Sequence, residues 1–280
     1  MKEFKNGEKI MGKKALCVGI NNFKNYPGSS LNGCINDAYD MEEILVQYMG
    51  FEEKDVVKLV DKEATKSNIM KNLQEMVGGA MSGEYDRLIF SMSSHGTQMP
   101  DVSGDEPDDF DEAFCPYDLD VKGDEWDPDR IILDDELHDL FTQLPEDVSL
   151  EVYLDTCHSG TGLRAMEPLH DREPRYIPPP SGEVFQKVGS REFRHPPLLG
   201  NHILWAACRP DQTSADAFIS EEWHGAFTYY FCREIKISEN KLSRDEVLKN
   251  VARGLENNGY SQIPQLECDA TTRAKKCSEF

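Results

Sequence analysis

The chain has little that would take it to a membrane, to nucleic acid or to a zinc site. No apolar run approaches the length of a bilayer span. The opening residues, MKEFKNGEKIMGKK, are charged and hold no apolar stretch of a secretory signal, so a cytoplasmic, reducing setting is expected. Positive charge is scarce: 30 Lys and Arg stand against 52 Asp and Glu, a formal net charge of -22. Such a surface repels nucleic acid and anionic membranes and favours basic partners or cations. The eight cysteines (Cys17, Cys34, Cys115, Cys157, Cys208, Cys232, Cys268, Cys277) include no C-x-x-C pair that would hold zinc. Several lie in apolar runs such as ALCVGI and WAACRP and read as buried thiols. No internal repeat is visible. What is there, 280 residues with 39% hydrophobic and 29% charged, suits a soluble globular α/β domain, expected to be monomeric.

Apolar β-type runs alternate with helical patterns. ALCVGI (15–20), VVKLV (56–60), RLIFSMSSHG (87–96), VSLEVYLDTCHSG (148–160) and HILWAAC (202–208) read as strands, and IPQLEC (263–268) as a short last one. Between them, residues 36–51, a segment after a Thr65 cap, LDDELHDLFTQL (133–144), FTYYFCREI and DEVLKNVARGLENNG read as helices. This alternation predicts a mostly parallel central sheet with helices on both faces. Two stretches break it: an acidic one at 101–129, and a Pro-, Gly- and Arg-rich one from about Arg164 to Pro197. Both exceed ordinary connections and read as functional or disordered. The expected organisation is an extension (1–13) and a single domain (14–280), itself divided into 14–163, a linker 164–197, and 198–280.

Sites in parallel sheets form at the carboxyl ends of strands. Two strands here end in reactive groups. One delivers Ser93, Ser94, His95 and Gly96; the other delivers Asp155, Thr156, Cys157, His158, Ser159 and Gly160. A thiol needs a base or a positive field to become a thiolate near neutral pH, and His95 can supply either. The N–H groups of Gly96 and Cys157 can hold an oxyanion. His158 adjoins Cys157 along the chain and is poorly aimed at its neighbour's sulfur. Asp155, two residues before Cys157, points to the same side of its strand. Read by themselves, Asp37 is equally a helix-start residue and Asp155 a turn former. Turn chemistry likewise accounts for Asp211 and Asp216 in a possible substrate-side loop.

The segments IFSMSSHGTQ and LEVYLDTCHSGTG resemble the histidine and cysteine segments of the metacaspases. LNGCINDAYDM (31–41), FDEAFCPYDLD (110–120), ILDDEL (132–137) and DQTSADAF...GAFTYYF (211–231) resemble further metacaspase segments in the same order, over about residues 13–270. The resemblance implies a caspase-like fold, a His95/Cys157 dyad, and cleavage of proteins or peptides after exposed Arg or Lys. It also implies a basic-residue pocket lined by Asp37 and Asp155, with Cys34 and Ser93. Two carboxylates there would make charge-assisted hydrogen bonds to a guanidinium. No cofactor is needed for that chemistry. Calcium is the one candidate ion: the resemblance implies ligands at Asp111, Asp134 and Asp135, plus an aspartate shortly after the cysteine. That fourth position is Arg164 here, which cannot ligate a cation. Asp134 also has a plain role as a helix cap. The linker, where caspase-like chains are processed from a zymogen, offers Arg164, Arg172, Arg175, Lys187, Arg191 and Arg194 for self-cleavage. The competing reading is a catalytically silent calcium-responsive or scaffolding protein on the same fold, against which His95, Cys157, Asp37 and Asp155 together argue. A phosphoryl-binding response-regulator module would need a Lys ending a core strand, and none does.

Overall fold

The computed structural model describes residues 12–100, 110–157, 171–180 and 202–279, and two paired strands ahead of them, β1 (Phe4–Lys5) and β2 (Glu8–Lys9). The first core strand, β3 (Gly12–Gly19), leads into α1 (Cys34–Tyr48), and β4 (Val56–Val60) into α2 (Lys66–Met81). Thr65 caps α2, its hydroxyl accepting the Asn68 N–H at 3.2 Å. β5 (Tyr85–Ser93) carries the histidine segment at its end, and β11 (Ser149–Asp155) carries the cysteine segment. β13 (His202–Ala206) and β16 (Gln265–Glu267) complete a six-stranded sheet of order β16-β13-β11-β5-β3-β4. All neighbours are parallel except β13 with the edge strand β16.

Period-two alternation decides the two faces. Leu16, Val18, Leu88, Phe90, Leu150 and Leu154 face one core with Ile69, Leu73, Met76 and Val77 of α2. The residues between them, such as Ala15, Cys17, Ile89 and Tyr153, face the other core. There they meet α1, α4 (Ala226–Ser238) and α5 (Arg244–Asn257). This is the expected α/β arrangement, a mostly parallel sheet with helices on both faces. Arg244 of α5 reaches the sheet as a buried fork onto Glu151 of β11, 3.0 Å from each carboxylate oxygen. All eight cysteines are free thiols. Among the described residues no helix is long and apolar enough to cross a membrane.

The two segments that broke the alternation hold structure that periodicity did not indicate. Part of the acidic stretch forms β7 (Phe110–Phe114), which joins β6 (Gly96–Pro100) and β10 (Ile132–Leu133) in an antiparallel sheet. A short hairpin, β8 (Val121–Lys122) with β9 (Glu125–Trp126), follows β7. Part of the Pro- and Arg-rich stretch forms β12 (Arg172–Pro174), paired antiparallel with β14 (Ala215–Ile219), which turns back into β15 (Glu222–Gly225). Residues 171–180 are thus ordered chain, with Arg175, Tyr176 and Ile177 buried, because neighbouring backbone satisfies their main-chain groups. Asp134 is the first residue of α3 (Asp134–Phe141) rather than its cap; Leu133 holds that place, and Glu136 reaches back to its N–H at 3.0 Å.

Candidate active site

Parallel pairing of β5 with β11 sets Ser93 opposite Asp155. His95 and Cys157 each follow two residues beyond that pair, so both emerge at the same carboxyl edge of the sheet. Both are buried. The His95 ring stands 5.2 Å from the Phe23 ring, and its Nε2 lies 2.8 Å from the Ser29 carbonyl oxygen. A carbonyl only accepts, so Nε2 carries the proton and Nδ1 presents its lone pair. Nδ1 makes no well-aligned hydrogen bond among the described residues, although the Arg175 backbone also acts on the ring and raises its pKa. Burial is the main cause lowering the His95 pKa to about 4, against the Ser29 bond, which raises it. The ring is therefore a neutral imidazole near pH 7. The Cys157 thiol donates to the Gln212 carbonyl at 2.9 Å, and Cys208 approaches the same carbonyl at 3.5 Å.

Beside this edge lies a pocket filled by the chain itself. The Arg175 guanidinium is fully buried among three carboxylates. Its Nη2 donates to Asp37 Oδ2 at 2.7 Å and to Asp216 Oδ1 at 2.9 Å. Its Nη1 donates to the Asp155 carbonyl at 3.1 Å and stands 3.4 Å from Asp155 Oδ1. Each carboxylate is held by further donors. Asp37 Oδ1 accepts the Gly225 N–H at 2.9 Å. Asp155 Oδ2 accepts the Thr228 N–H at 3.0 Å and hydroxyl at 2.7 Å, and its Oδ1 accepts the Ser214 hydroxyl. Asp216 accepts the N–H groups of Asn32 at 2.8 Å and Gly33 at 3.1 Å. Burial pushes the Asp37 carboxyl up to about 6, with Arg175 opposing the rise. Burial also disfavours charge on Arg175, but the surrounding acids outweigh it and hold the guanidinium protonated. Gly225 forms a wall of this pocket: a Cβ there would lie 2.2 Å from Asp155 Oδ2 and 2.5 Å from Arg175 Nη1.

Backbone on two sides grips the same segment. Upstream, Arg172, Glu173 and Pro174 pair with Ala217, Asp216 and Ala215, and the Arg175 N–H donates to the Ser214 carbonyl at 3.0 Å. Downstream, the Gly96 N–H donates to the Arg175 carbonyl at 3.0 Å, and the Ile177 N–H donates to the Gly96 carbonyl at 3.0 Å. An N–H on the carbonyl of the residue in the pocket is what acyl transfer requires of an oxyanion donor.

The structure thus brings together His95, Gly96, Cys157, Asp37 and Asp155. Cys34 opens α1 beside the acids; burial pushes its thiol up, and Arg175 opposes this. Ser93 ends β5 in register with Asp155. Asp216 is the pocket residue that sequence reasoning passed over. It lies in strand β14 and is fully buried, so the turn-former reading is corrected: burial and an arginine partner, not turn geometry, account for it. Its position in DQTSADAF offered only a lone polar residue next to alanines. Of the linker candidates, Arg175 occupies the pocket and Arg172 lies three residues upstream; Arg164, Lys187, Arg191 and Arg194 lie outside the described residues.

For calcium, β7 carries Asp111, and the β7–β10 pairing brings the start of α3, with Asp134 and Asp135, near it. Among the described residues, however, no three His, Cys, Asp or Glu side chains group as a metal site. The chemistry at this edge is derived from side chains alone.

The fold and sequence have known counterparts. Metacaspase-1 of Cryptococcus neoformans is 30% identical over 91% of this chain and 62% of its own length. Metacaspase-1 of Schizosaccharomyces pombe is 29% identical over 91% of this chain and 67% of its own. The chain thus spans about two thirds of these relatives. The crystal structure of protein GSU0716 from Geobacter sulfurreducens superposes with a TM-score of 0.68 at 25% identity, covering 95% of this chain and 98% of that one. Caspase-1 from Spodoptera frugiperda superposes at 0.59 with 14% identity, covering 92% and 88%, a likeness of fold. The family description "Metacaspase, peptidase C14 domain" matches residues 13–166, more than half of the chain and the part that delivers both His95 and Cys157, and on that ground the chain belongs to the metacaspase family.

Proposed function

We propose that this chain is a cysteine endopeptidase that cuts after arginine or lysine and processes itself at the Arg175–Tyr176 bond. One observation carries the reading: a linker arginine sits on three buried carboxylates while its carbonyl accepts the Gly96 N–H at 3.0 Å. A side chain held by charge, followed by a carbonyl on an oxyanion donor, is how a peptidase presents a scissile bond.

The chemistry follows from the same groups. The Cys157 thiol leaves the Gln212 carbonyl and gives its proton to His95 Nδ1. The sulfur attacks the arginine carbonyl, and the charge moving onto that oxygen is stabilised by the Gly96 N–H, with the Cys157 N–H as second donor. The imidazolium, fixed through Nε2–H on Ser29, returns the proton to the leaving amine as the C–N bond breaks. Water, deprotonated by His95, then hydrolyses the thioester and regenerates the thiol. A neutral His95 is the form this first step needs.

Mass spectrometry of the purified chain against Cys157→Ala tests both halves. Cleavage after Arg175 in the wild type alone is expected, together with turnover of Arg-ended fluorogenic peptides. Equal signals from the two proteins, or cuts that ignore basic residues, would overturn the reading.

A further inference from the structure

We propose that the cleft has a second basic subsite, which reads an arginine three residues before the residue that is cut. The inference rests on the proposed function, because it takes residues 172–175 as seated substrate. In that register Arg172 is the fourth residue counted back from the scissile bond, with Arg175 as the first.

The Arg172 side chain does not trail into solvent. Its Nη1 donates to the Gly259 carbonyl at 2.9 Å and its Nη2 to the Asn258 carbonyl at 2.8 Å. Both carbonyls close the C-terminal end of α5, where Asn258 is the cap and Gly259 has a φ of 75°. The guanidinium carbon stands 4.0 Å from the centre of the Tyr260 ring. Helix C-termini carry partial negative charge, and an aromatic face attracts a cation, so three features of one corner favour positive charge. A planar fork meets two consecutive carbonyls while stacking on a ring; a lysine ammonium cannot match both. A carboxylate would face two carbonyls and a π face and be repelled.

The positions between carry no such reading. Glu173 is exposed, and Pro174 is half-buried. Main-chain pairing to β14 fixes the distance between the two arginines, so strand addition supplies the register and the pockets at either end supply the selection. The substrate class is therefore an extended segment of the form Arg-x-x-Arg.

Five matched fluorogenic tetrapeptides test this: Arg-Glu-Pro-Arg, with Ala, Lys or Glu at the first position, and Arg-Glu-Pro-Ala. Ratios of kcat/KM within one preparation cancel any fraction of the cleft filled by the chain's own segment. Charged hydrogen bonds and a cation–π contact at a half-exposed site predict roughly a tenfold preference for first-position Arg over Ala. Lys falls between them, and Glu falls below Ala. Tyr260→Leu keeps an apolar side chain against Tyr230 and should cut the Arg-to-Ala ratio to about threefold, melting temperature being followed as the folding control. Equal cleavage of the Arg-first and Ala-first peptides, with dependence on the last Arg intact, overturns the second subsite alone. Loss of dependence on the last Arg, or no turnover of any peptide, overturns the proposed function and the subsite with it.

Discussion

Replacing Asp37 by Asn removes one of three charges around the Arg175 guanidinium and little else. The Asn oxygen can still accept the Gly225 N–H that Asp37 Oδ1 accepts at 2.9 Å, while its NH2 group faces Arg175 Nη2 where Oδ2 now accepts at 2.7 Å. Breaking a buried ion pair by removing one partner costs about 3–5 kcal/mol. At about 1.4 kcal/mol per factor of ten, kcat/KM for an Arg-ended peptide should fall roughly a hundredfold to a few thousandfold. In stability two changes oppose each other: a neutral amide escapes the burial that raises the Asp37 carboxyl to about 6, while Arg175 of the same chain loses a buried partner. Thermal melting on the same sample therefore serves as the folding control for the peptide kinetics. Arg cleavage within about threefold of wild type in a folded variant would refute the carboxylate pocket.

Gly225→Ala places a methyl where Asp155 Oδ2 and Arg175 Nη1 now lie, 2.2 Å and 2.5 Å from the new carbon, so turnover of Arg-ended peptides should be lost; retention would show that a guanidinium does not bind there. Acid should also reduce cleavage: burial raises the Asp37 carboxyl, so falling pH protonates it and the pocket loses a charge, and kcat/KM that stays level down to pH 5 would contradict this. In stability the two shifts oppose each other. His95, lowered to about 4, contributes stability that is present above about 6.5 and is lost as pH falls toward 4; Asp37 gains stability over much of the same range. The His95 part, about 3 kcal/mol, is read by comparing urea unfolding of the wild type and His95→Asn at pH 7.5 and 4, and an unchanged difference would refute it. Excess chelator should leave peptide turnover intact, since Arg164 stands where the resemblance implies a fourth acid; full loss with recovery on added calcium would show a required site.

The sheet and its two faces were legible because burial leaves a local record. Continuous apolar runs such as ALCVGI mark strands buried on both faces, and the pleat then sends successive residues to opposite cores. Strand ends rich in small and reactive residues marked His95 and Cys157, and the register of β5 with β11 brings them to one edge. The acidic stretch was less legible. β7 lies within a run of like charges, and its pairing with β6 and β10 is a tertiary fact that no periodicity announces.

By itself, the sequence determined the α/β class, the family segments, and two of the acids that now surround a guanidinium. The tertiary structure alone decided that Asp216 joins them and that Arg175, among six basic linker residues, is the one seated there. Arg175 meets Asp37 across 138 positions of chain and Asp216 across 41. Local pattern encodes which face of an element is buried. It does not encode which distant charge will offset the desolvation of another, because that depends on where the whole sheet brings its edges together.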